Sequence, residues 1–280
     1  MTIHDARTCL LGEGALWHPE REEFFWFDIL GRRLLSAGRD WAFADHASAA
    51  GWVDRETLLV ATGKALVRFD LSSGAAEPVA ALDADDPGTR PNDGRADPQG
   101  GFWIGTMGLH AEDGRGAIWR YHKGEVRCLY PRITIPNSIC FAPDGGHAYF
   151  CDTPSKAIQR VRLDRDGWPA GEPETAVDLR GTDFNPDGSV IAADGTLWNA
   201  QWGAGRVAVY DTAGREIAAH AVPASQTTCP AFGGPDLSTL FVTSAAAGLS
   251  QDVLAETPHA GRTFALQTDT RGQAEPRVLL

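Results

Sequence analysis

The sequence lacks any long apolar run. No stretch of its 280 residues approaches the roughly 18 uncharged apolar residues that a membrane-spanning helix requires. Its first residues, from Met1 to Arg7, contain no apolar segment of signal-peptide length. We therefore expect no membrane partner and no secretory targeting.

Excess positive charge and paired cysteines are also missing. The chain has 25 Lys and Arg against 37 Asp and Glu, a formal net charge of -12. Such a surface repels polyanions, which argues against nucleic acid or an anionic membrane as a partner. The five cysteines are an odd number without a CxxC pair, which favours free thiols in a reducing compartment. We therefore expect a cytoplasmic protein.

Several catalytic signatures are absent as well. There is no Gly-x-Ser-x-Gly elbow, and none of the eight histidines stands in a recognisable triad context. HExxH, the P-loop and a Gly-x-Gly-x-x-Gly following a strand do not occur either. These absences argue against nucleophilic Ser or Cys hydrolysis, zincin chemistry and nucleotide binding.

Short apolar or alternating segments dominate the sequence, whereas convincing helical patterns are scarce. The segments Glu23–Phe27, Leu58–Ala61 and Arg206–Tyr210 are typical, each of four to six residues bounded by turn-forming residues. The 31 Gly and 17 Pro are spread between such segments rather than concentrated in one linker. Spaced strands of this kind indicate a β-sandwich, a barrel or a propeller.

A repeat decides between these folds. The segments 90–107, 135–150 and 185–198 each run from a polar head through an Asp/Gly turn into an aromatic strand. Six units begin near Gly12, Ala50, Pro91, Pro136, Pro186 and Pro230. Their spacing is close to the ~40–50 residues of a propeller blade. We predict an all-β, six-bladed β-propeller with four-stranded antiparallel blades, forming a single domain over residues 1–280.

Three local predictions accompany this arrangement. The ring is expected to close by pairing the first ten residues, or the last five, into the final blade, which removes exposed sheet edges. The segments Asp70–Gly74, Asp164–Gly167 and Asp211–Gly214 are expected to be turns between third and fourth strands. We also predict a polar turn from Arg90 to Asp93 ahead of the strand Phe102–Ile104.

The polar heads of the innermost strands converge on one mouth of a propeller channel. In this sequence they are Glu13, Arg90, Asn92, Asn137 and Asp187. Carboxylate and amide oxygens suit a divalent cation such as Ca²⁺, Mg²⁺, Mn²⁺ or Zn²⁺. Taken singly, each residue has a plainer interpretation as a turn former or a surface charge, and Asn92-Asp93-Gly94 alone would be a type I′ turn. Their recurrence in successive units favours the site.

These segments resemble a known family. Leu11–Trp17, Arg90–Gly94, Gly105–Met107, Pro136–Ser138 and Pro186–Ser189 are similar to signature segments of the SMP-30/gluconolactonase/regucalcin-like family. Cys229–Ser244 resembles the last blade of its bacterial sugar-lactonase members, and the resemblance extends from Leu11 to about Leu266. It implies a six-bladed propeller with one divalent metal, Ca²⁺, Zn²⁺, Mn²⁺, Mg²⁺ or Fe²⁺, at the channel mouth.

The resemblance also implies roles for individual residues. Glu13, Asn137 and Asp187 match the family's metal ligands, and Asp187 also matches its favoured proton acceptor. Arg90 and Asn92 match positions that hold substrate oxygens.

One position departs from the family pattern. Some relatives carry a substrate-contacting Glu shortly after the Gly-Thr-Met segment, and here His110 stands at that position, with Glu112 nearby. The loops 109–115 and 244–260 are expected to set the sugar preference.

The expected activity is metal-dependent hydrolysis of a small-molecule sugar lactone, a 1,4- or 1,5-lactone such as glucono-, xylono-, arabinono- or galactono-lactone, by a monomeric enzyme. Trp202 is a candidate for stacking on the sugar ring, whereas Trp103 and Trp198 are expected in the core. The alternatives are a non-catalytic calcium-binding regulator, an interaction scaffold, or a related metal-dependent esterase or phosphotriesterase.

Overall fold

The computed structural model describes residues 1–280 and consists almost entirely of β-strands. The strands form six four-stranded antiparallel sheets, which confirms the six-bladed propeller. The first strand, β1 (Thr2–Asp5), belongs to the last blade. Blades 1 to 3 comprise β2 (Gly12–His18), β3 (Glu23–Asp28), β4 (Arg33–Ser36) and β5 (Arg39–Ala42); β6 (Ala47–Asp54), β7 (Thr57–Thr62), β8 (Ala65–Asp70) and β9 (Ala76–Ala81); and β10 (Thr89–Ala96), β11 (Phe102–Gly108), β12 (Gly116–His122) and β13 (Glu125–Ile133).

Blades 4 to 6 repeat the same layout. They comprise β14 (Pro136–Phe141), β15 (His147–Asp152), β16 (Ala157–Arg162) and β17 (Glu174–Asp178); β18 (Asn185–Ile191), β19 (Leu197–Trp202), β20 (Arg206–Tyr210) and β21 (Glu216–Ala221); and β22 (Thr227–Gly233), β23 (Thr239–Ser244) and β24 (Thr263–Gln267), completed by β1. Two short helices interrupt the strands, a 3₁₀ turn at Thr153–Ser155 and α1 (Gln251–Glu256). Neither has the length or the apolar character to cross a membrane.

The predicted unit boundaries agree closely with the observed blades. The inner strands begin within three residues of the positions expected from the repeat. The three Asp-to-Gly turns connect third and fourth strands as predicted, for example 70–74 between β8 and β9. The prediction of a turn from Arg90 to Asp93 was wrong. These residues lie inside β10. The pairing of β10 with β11 shifts register between Pro91 and Gly94, and this irregularity accommodates the turn-forming residues without reversing the chain.

The first of the two expected closures is the correct one. β1 pairs antiparallel with β24, and Thr2 lies opposite Ala265 while Ile3 lies opposite Phe264. The outermost strand of blade 6 therefore comes from the amino terminus, whereas the other three come from the end of the chain. This pairing ties the two ends of the ring together and covers the edge of β24.

Apolar layers between neighbouring blades form the core. Phe25 and Phe27 of blade 1 pack with Leu58 and Val60 of blade 2, and each further pair of blades has a comparable layer. Alternate residues of the inner strands supply these layers, since successive side chains of a strand point to opposite faces. Trp103 and Trp198 are buried in such layers, as expected for core aromatics.

The last ten residues, 271–280, cross the end of the propeller opposite the starts of the inner strands; we call them the C-terminal strap. Gly272 forms a bridge with Ala192 of blade 5, and the side chain of Gln273 donates to carbonyls of blades 4 and 5. The Val278 amide donates to the Trp52 carbonyl of blade 2 at 2.9 Å. The Val278 side chain is fully buried. The strap thus joins several blades across the lower end of the channel.

Candidate metal and substrate site

The site is built by irregularities at the starts of the inner strands. In β2 the pairing jumps from Glu13 opposite Phe27 to Leu16 opposite Phe25, and similar shifts occur in β10, β14, β18 and β22. An extra residue in one strand re-aims the neighbouring side chains. Gly14, next to Glu13, has a φ of 56°. A Cβ atom there would lie 2.1 Å from the Ser48 carbonyl oxygen, so only glycine fits.

A cavity of about 300 Å³ opens at this end of the channel. It contains all three predicted metal ligands and both predicted substrate-holding residues, contributed by blades 1, 3, 4 and 5. Its lining is Leu11, Glu13, Arg90, Asn92, Met107, Ile135, Asn137, Thr153, Asn185, Asp187 and Trp202. The structure therefore brings together polar heads that lie up to 174 residues apart in the sequence, from Glu13 to Asp187.

A chain of hydrogen bonds fixes the amides in the cavity. Arg90 donates to Oδ1 of Asn92 at 2.8 Å, and Nδ2 of Asn92 donates to Oδ1 of Asn137 at 3.1 Å. Nδ2 of Asn137 in turn donates to the Thr153 hydroxyl at 2.9 Å. Each amide nitrogen has an acceptor, so the carbonyl oxygen of Asn137 is oriented by its neighbours and keeps a lone pair for a further partner.

The two carboxyl groups of the cavity are buried close to one another. Burial raises the pKa of Glu13 well above its ordinary range, and the negative charges of Asp187 and Asp93 raise it further. Burial also raises the pKa of Asp187, with Asp93 adding to the shift. Oδ1 of Asp187 is buried without any hydrogen-bond partner. Buried acidic groups that repel one another are costly unless a counter-charge joins them.

A divalent cation fits this arrangement. The available donors are the carboxylates of Glu13 and Asp187 and the amide oxygen of Asn137, an all-oxygen set of the kind that Ca²⁺, Mg²⁺ and Mn²⁺ prefer. A cation would satisfy the orphaned Oδ1 of Asp187 and remove the repulsion between the two carboxyl groups. No cluster of three or more His, Cys, Asp or Glu side chains is arranged for a metal, so Asn137 is needed as the third ligand.

Arg90 places a positive charge without an ion-pair partner in the same cavity. Its side chain is buried and forms no ion pair, and its Nη1 donates only to neutral oxygens, those of Pro91 and Asn92. Burial lowers the pKa of Arg90 to about 10, with the charge of Glu13 opposing the shift, so the guanidinium stays charged at neutral pH. A buried guanidinium without a carboxylate partner is suited to binding oxygens of a ligand.

Comparison with known proteins identifies the family. Residues 11–246 match the model of the SMP-30/Gluconolactonase/LRE-like region, which is most of the chain. The chain belongs to the SMP-30/gluconolactonase/LRE-like family.

Individual relatives of this family extend over nearly the whole chain. A protein of Rhizobium meliloti (strain 1021) named "Putative sugar lactone lactonase" is 42% identical over 280 residues, covering 96% of this chain and 94% of the relative. The L-arabinolactonase of Azospirillum brasilense is 38% identical, covering 95% and 91%. The crystal structure of a calcium-binding protein, regucalcin, from Agrobacterium tumefaciens str. C58 is similar with a TM-score of 0.97 at 43% identity, covering 100% of this chain and 97% of that one.

The position at which some family members carry a substrate-contacting Glu lies outside the cavity. His110 is exposed in the loop between β11 and β12, and it is not among the residues that line the cavity. The carboxylate of Glu112 accepts from the His110 amide and from Arg115, which holds the loop. A substrate contact by His110 therefore stays a prediction without a supporting contact.

Sequence reasoning missed part of the lining. Thr153 and Asn185 flank the predicted ligands in space, because Thr153 follows the end of β15 and Asn185 opens β18. Trp202, a candidate from the sequence, does line the cavity at the end of β19. Asn185 lies opposite Trp202 in the strand register, so this pairing would have revealed both residues once the strands had been aligned.

Without a bound cation, we expect the buried acids of the site to destabilise the protein increasingly as the pH rises from about 5 to about 8. Burial raises the pKa of Asp93 to about 6, and the pKa values of Glu13 and Asp187 are raised as well. At these three groups the folded state binds more protons than the unfolded state in that window, so their deprotonation removes stability. Five histidines with lowered pKa values act in the opposite direction, so the test compares metal-stripped wild type with Asp187→Asn. The melting temperature of the variant should exceed that of the wild type by more as the pH rises, and a constant or shrinking difference would contradict the prediction. Added Ca²⁺ should stabilise the protein most at the high-pH end.

Proposed function

We propose that this protein hydrolyses a sugar lactone to the corresponding aldonic acid with one divalent cation in the channel mouth. The observation that carries the proposal is the shared cavity, in which the oxygens of Glu13, Asn137 and Asp187 lie with the unpaired guanidinium of Arg90. The sugar lactone lactonase and L-arabinolactonase named above support the substrate class.

Glu13, Asn137 and Asp187 would hold the cation. When bound, such a cation polarises an ester carbonyl and lowers the pKa of a neighbouring water. The protein's own part is to keep these three side chains fixed at strand starts, where the backbone is held by sheet pairing on one side. A rigid frame keeps the reacting groups in place and lowers the entropic barrier.

Asp187 is the proposed proton acceptor. Its carboxylate has two oxygens, so one can hold the cation while the other accepts a proton from a water molecule in the cavity. Asn199 donates to the Asp187 backbone carbonyl at 3.1 Å and thereby holds the residue in place without consuming its carboxylate.

Arg90, Asn92 and Trp202 would bind the sugar. Arg90 can donate to ring or hydroxyl oxygens, and Asn92 is held beside it by their mutual hydrogen bond. Trp202 is partly exposed at the cavity wall and offers an aromatic face for the apolar side of a sugar ring. Together they would orient the lactone so that its carbonyl faces the metal ligands.

A calcium-binding regulator is the second candidate, favoured by the similar calcium-binding protein from Agrobacterium tumefaciens. Both functions need the same three ligands. The buried, unpaired Arg90 distinguishes them, because a site that binds only a cation gains nothing from a positive charge in its cavity.

The test is a metal-resolved lactonase assay. Protein stripped with chelator is re-supplied with Ca²⁺, Mg²⁺, Mn²⁺, Zn²⁺ or Fe²⁺ in turn, and acid release is followed on pentono- and hexono-lactones of both ring sizes. Spontaneous hydrolysis, measured without protein, is subtracted. We expect a metal-dependent rate on at least one lactone. Tight cation binding without turnover of any lactone would support the regulator, and turnover of phosphotriesters or aryl esters alone would support the related esterase.

A further inference from the structure

The C-terminal strap places a buried ion pair in the channel below the site. Nη1 of Arg95, on β10, donates to the Glu275 carboxylate of the strap. Both side chains are buried, with exposed fractions of 9% for Arg95 and 7% for Glu275. The Trp52 indole donates to the Glu275 carbonyl at 2.7 Å, which anchors the strap at this residue.

Arg95 reaches into the channel rather than into a blade interior. Its Nη2 lies 3.4 Å from the Pro230 carbonyl of blade 6, on the other side of the ring from β10 within blade 3. Its Nε is buried without a partner. A small cavity of about 30 Å³ beside Arg95 and Glu275 is lined by strap residues and by strands of blades 3, 4 and 5. Glu275 is the one carboxylate that forms an ion pair with Arg95.

The pair lies further along the channel than the site, at a short distance from it. Arg95 is three residues after Asn92 on β10, a separation of at most about 10 Å along a strand. Asn92 itself donates to Oδ1 of Asn137, one of the proposed ligands, at 3.1 Å. Asp93, between them in β10, accepts from the Ile139 amide of blade 4 at 2.7 Å. The charge of Arg95 is therefore close enough to act on a cation at the site through a low-dielectric interior.

We propose that Glu275 is a positioning residue that pairs with and neutralises Arg95 beneath the site, so that the C-terminal strap sets the affinity of the site for a divalent cation. The inference rests on the metal site of the proposed function. Without the Glu275 charge, the Arg95 guanidinium is an unpaired cation in a low-dielectric channel, where it repels a second cation and is free to turn towards Asp93. Both effects weaken cation binding.

The experiment measures Ca²⁺ affinity by calorimetric titration of metal-stripped, full-length protein. Glu275→Gln is expected to bind Ca²⁺ about tenfold or more weakly than the wild type. The double variant Arg95→Met/Glu275→Gln, which removes both charges, is expected to return to within about threefold of the wild type. Arg95→Met alone is expected to bind at least as tightly as the wild type. A merely structural strap would not produce this restoration.

Asp97→Asn is the matched control. Asp97 accepts from Arg120 at 2.7 Å in an ion pair that is fully buried inside blade 3. This variant is expected to lower the melting temperature but to keep the Ca²⁺ affinity of the folded protein, which separates loss of a buried pair from loss of the Glu275 charge.

Several results would overturn the proposal. The first is unchanged Ca²⁺ binding by Glu275→Gln, and the second is a double variant that binds Ca²⁺ as weakly as Glu275→Gln. The third is weakened Ca²⁺ binding by Arg95→Met, a result that contradicts the proposal even if Glu275→Gln does not fold. A wild-type protein that binds none of Ca²⁺, Mg²⁺, Mn²⁺, Zn²⁺ and Fe²⁺ would overturn this inference and the metal site together. Normal Ca²⁺ binding without lactone turnover would overturn only the proposed function.

Discussion

Asp187→Asn is expected to lower the rate of lactone hydrolysis by about a thousandfold or more. The amide keeps the shape of the side chain but loses the negative charge and the capacity to accept a proton. Removal of one of two mutually repelling buried acids should at the same time raise the melting temperature of the metal-free protein. Initial rates at saturating lactone and metal, together with thermal melts, measure both effects.

Asp194→Asn is the matched control for this variant. Asp194 lies in an exposed turn of the same blade, at the opposite end of the strands, and accepts from the amide and hydroxyl of Thr196. It should leave the rate unchanged. If Asp187→Asn retained wild-type turnover, the assignment of Asp187 as proton acceptor would be wrong. A lower melting temperature for the metal-free variant would contradict the repulsion inferred between the buried acids.

Arg90→Met is expected to lower kcat/KM for the lactone by about a hundredfold or more, while Ca²⁺ binds at least as tightly as in the wild type. The variant removes a positive charge from the cavity and thereby favours a cation, but it also removes the charged donor that would hold substrate oxygens. Steady-state kinetics and calorimetry on the same preparation test the two halves separately.

Arg160→Met supplies the comparison. Arg160 is on β16, where it pairs with Glu174 at the protein surface, far from the channel residues that line the cavity. It should change neither the kinetics nor the cation affinity. Equal loss of Ca²⁺ binding and turnover in Arg90→Met would point to a damaged site rather than to a substrate contact.

The recurrence of similar sequence units made the fold predictable. Six units with aromatic strands and Asp/Gly turns give the blade count, and the strand starts follow to within three residues. The residues at the heads of these strands, such as Glu13, Asn137 and Asp187, were therefore predictable as a converging set, although their roles as ligands stay a prediction.

Local composition gave a wrong prediction at an irregular part of β10. Arg90 to Asp93 contains Pro, Asn and Asp, which favour turns, and the following Gly94 strengthens that impression. In the structure the register shift between Pro91 and Gly94 absorbs these residues within β10. Such an irregularity depends on tertiary pairing with β11, which no local pattern encodes.

The position of the C-terminal strap could not be predicted from the sequence. Residues 271–280 show neither strand alternation nor a helical period, and Pro276 interrupts any regular pattern. The burial of Val278 and the pairing of Glu275 with Arg95 depend on a channel that exists only once the blades have assembled. The repeat predicts the last five residues only as an alternative closing strand, a role that β1 has instead.

The central claim is that side chains from three blades bind one divalent cation, and diffraction from crystals soaked in Mn²⁺ tests it most directly. The account predicts a single strong anomalous peak within about 2.6 Å of oxygens from Glu13, Asn137 and Asp187. A peak that lies away from these three side chains, or no peak in crystals soaked at a concentration that saturates binding in solution, would contradict it.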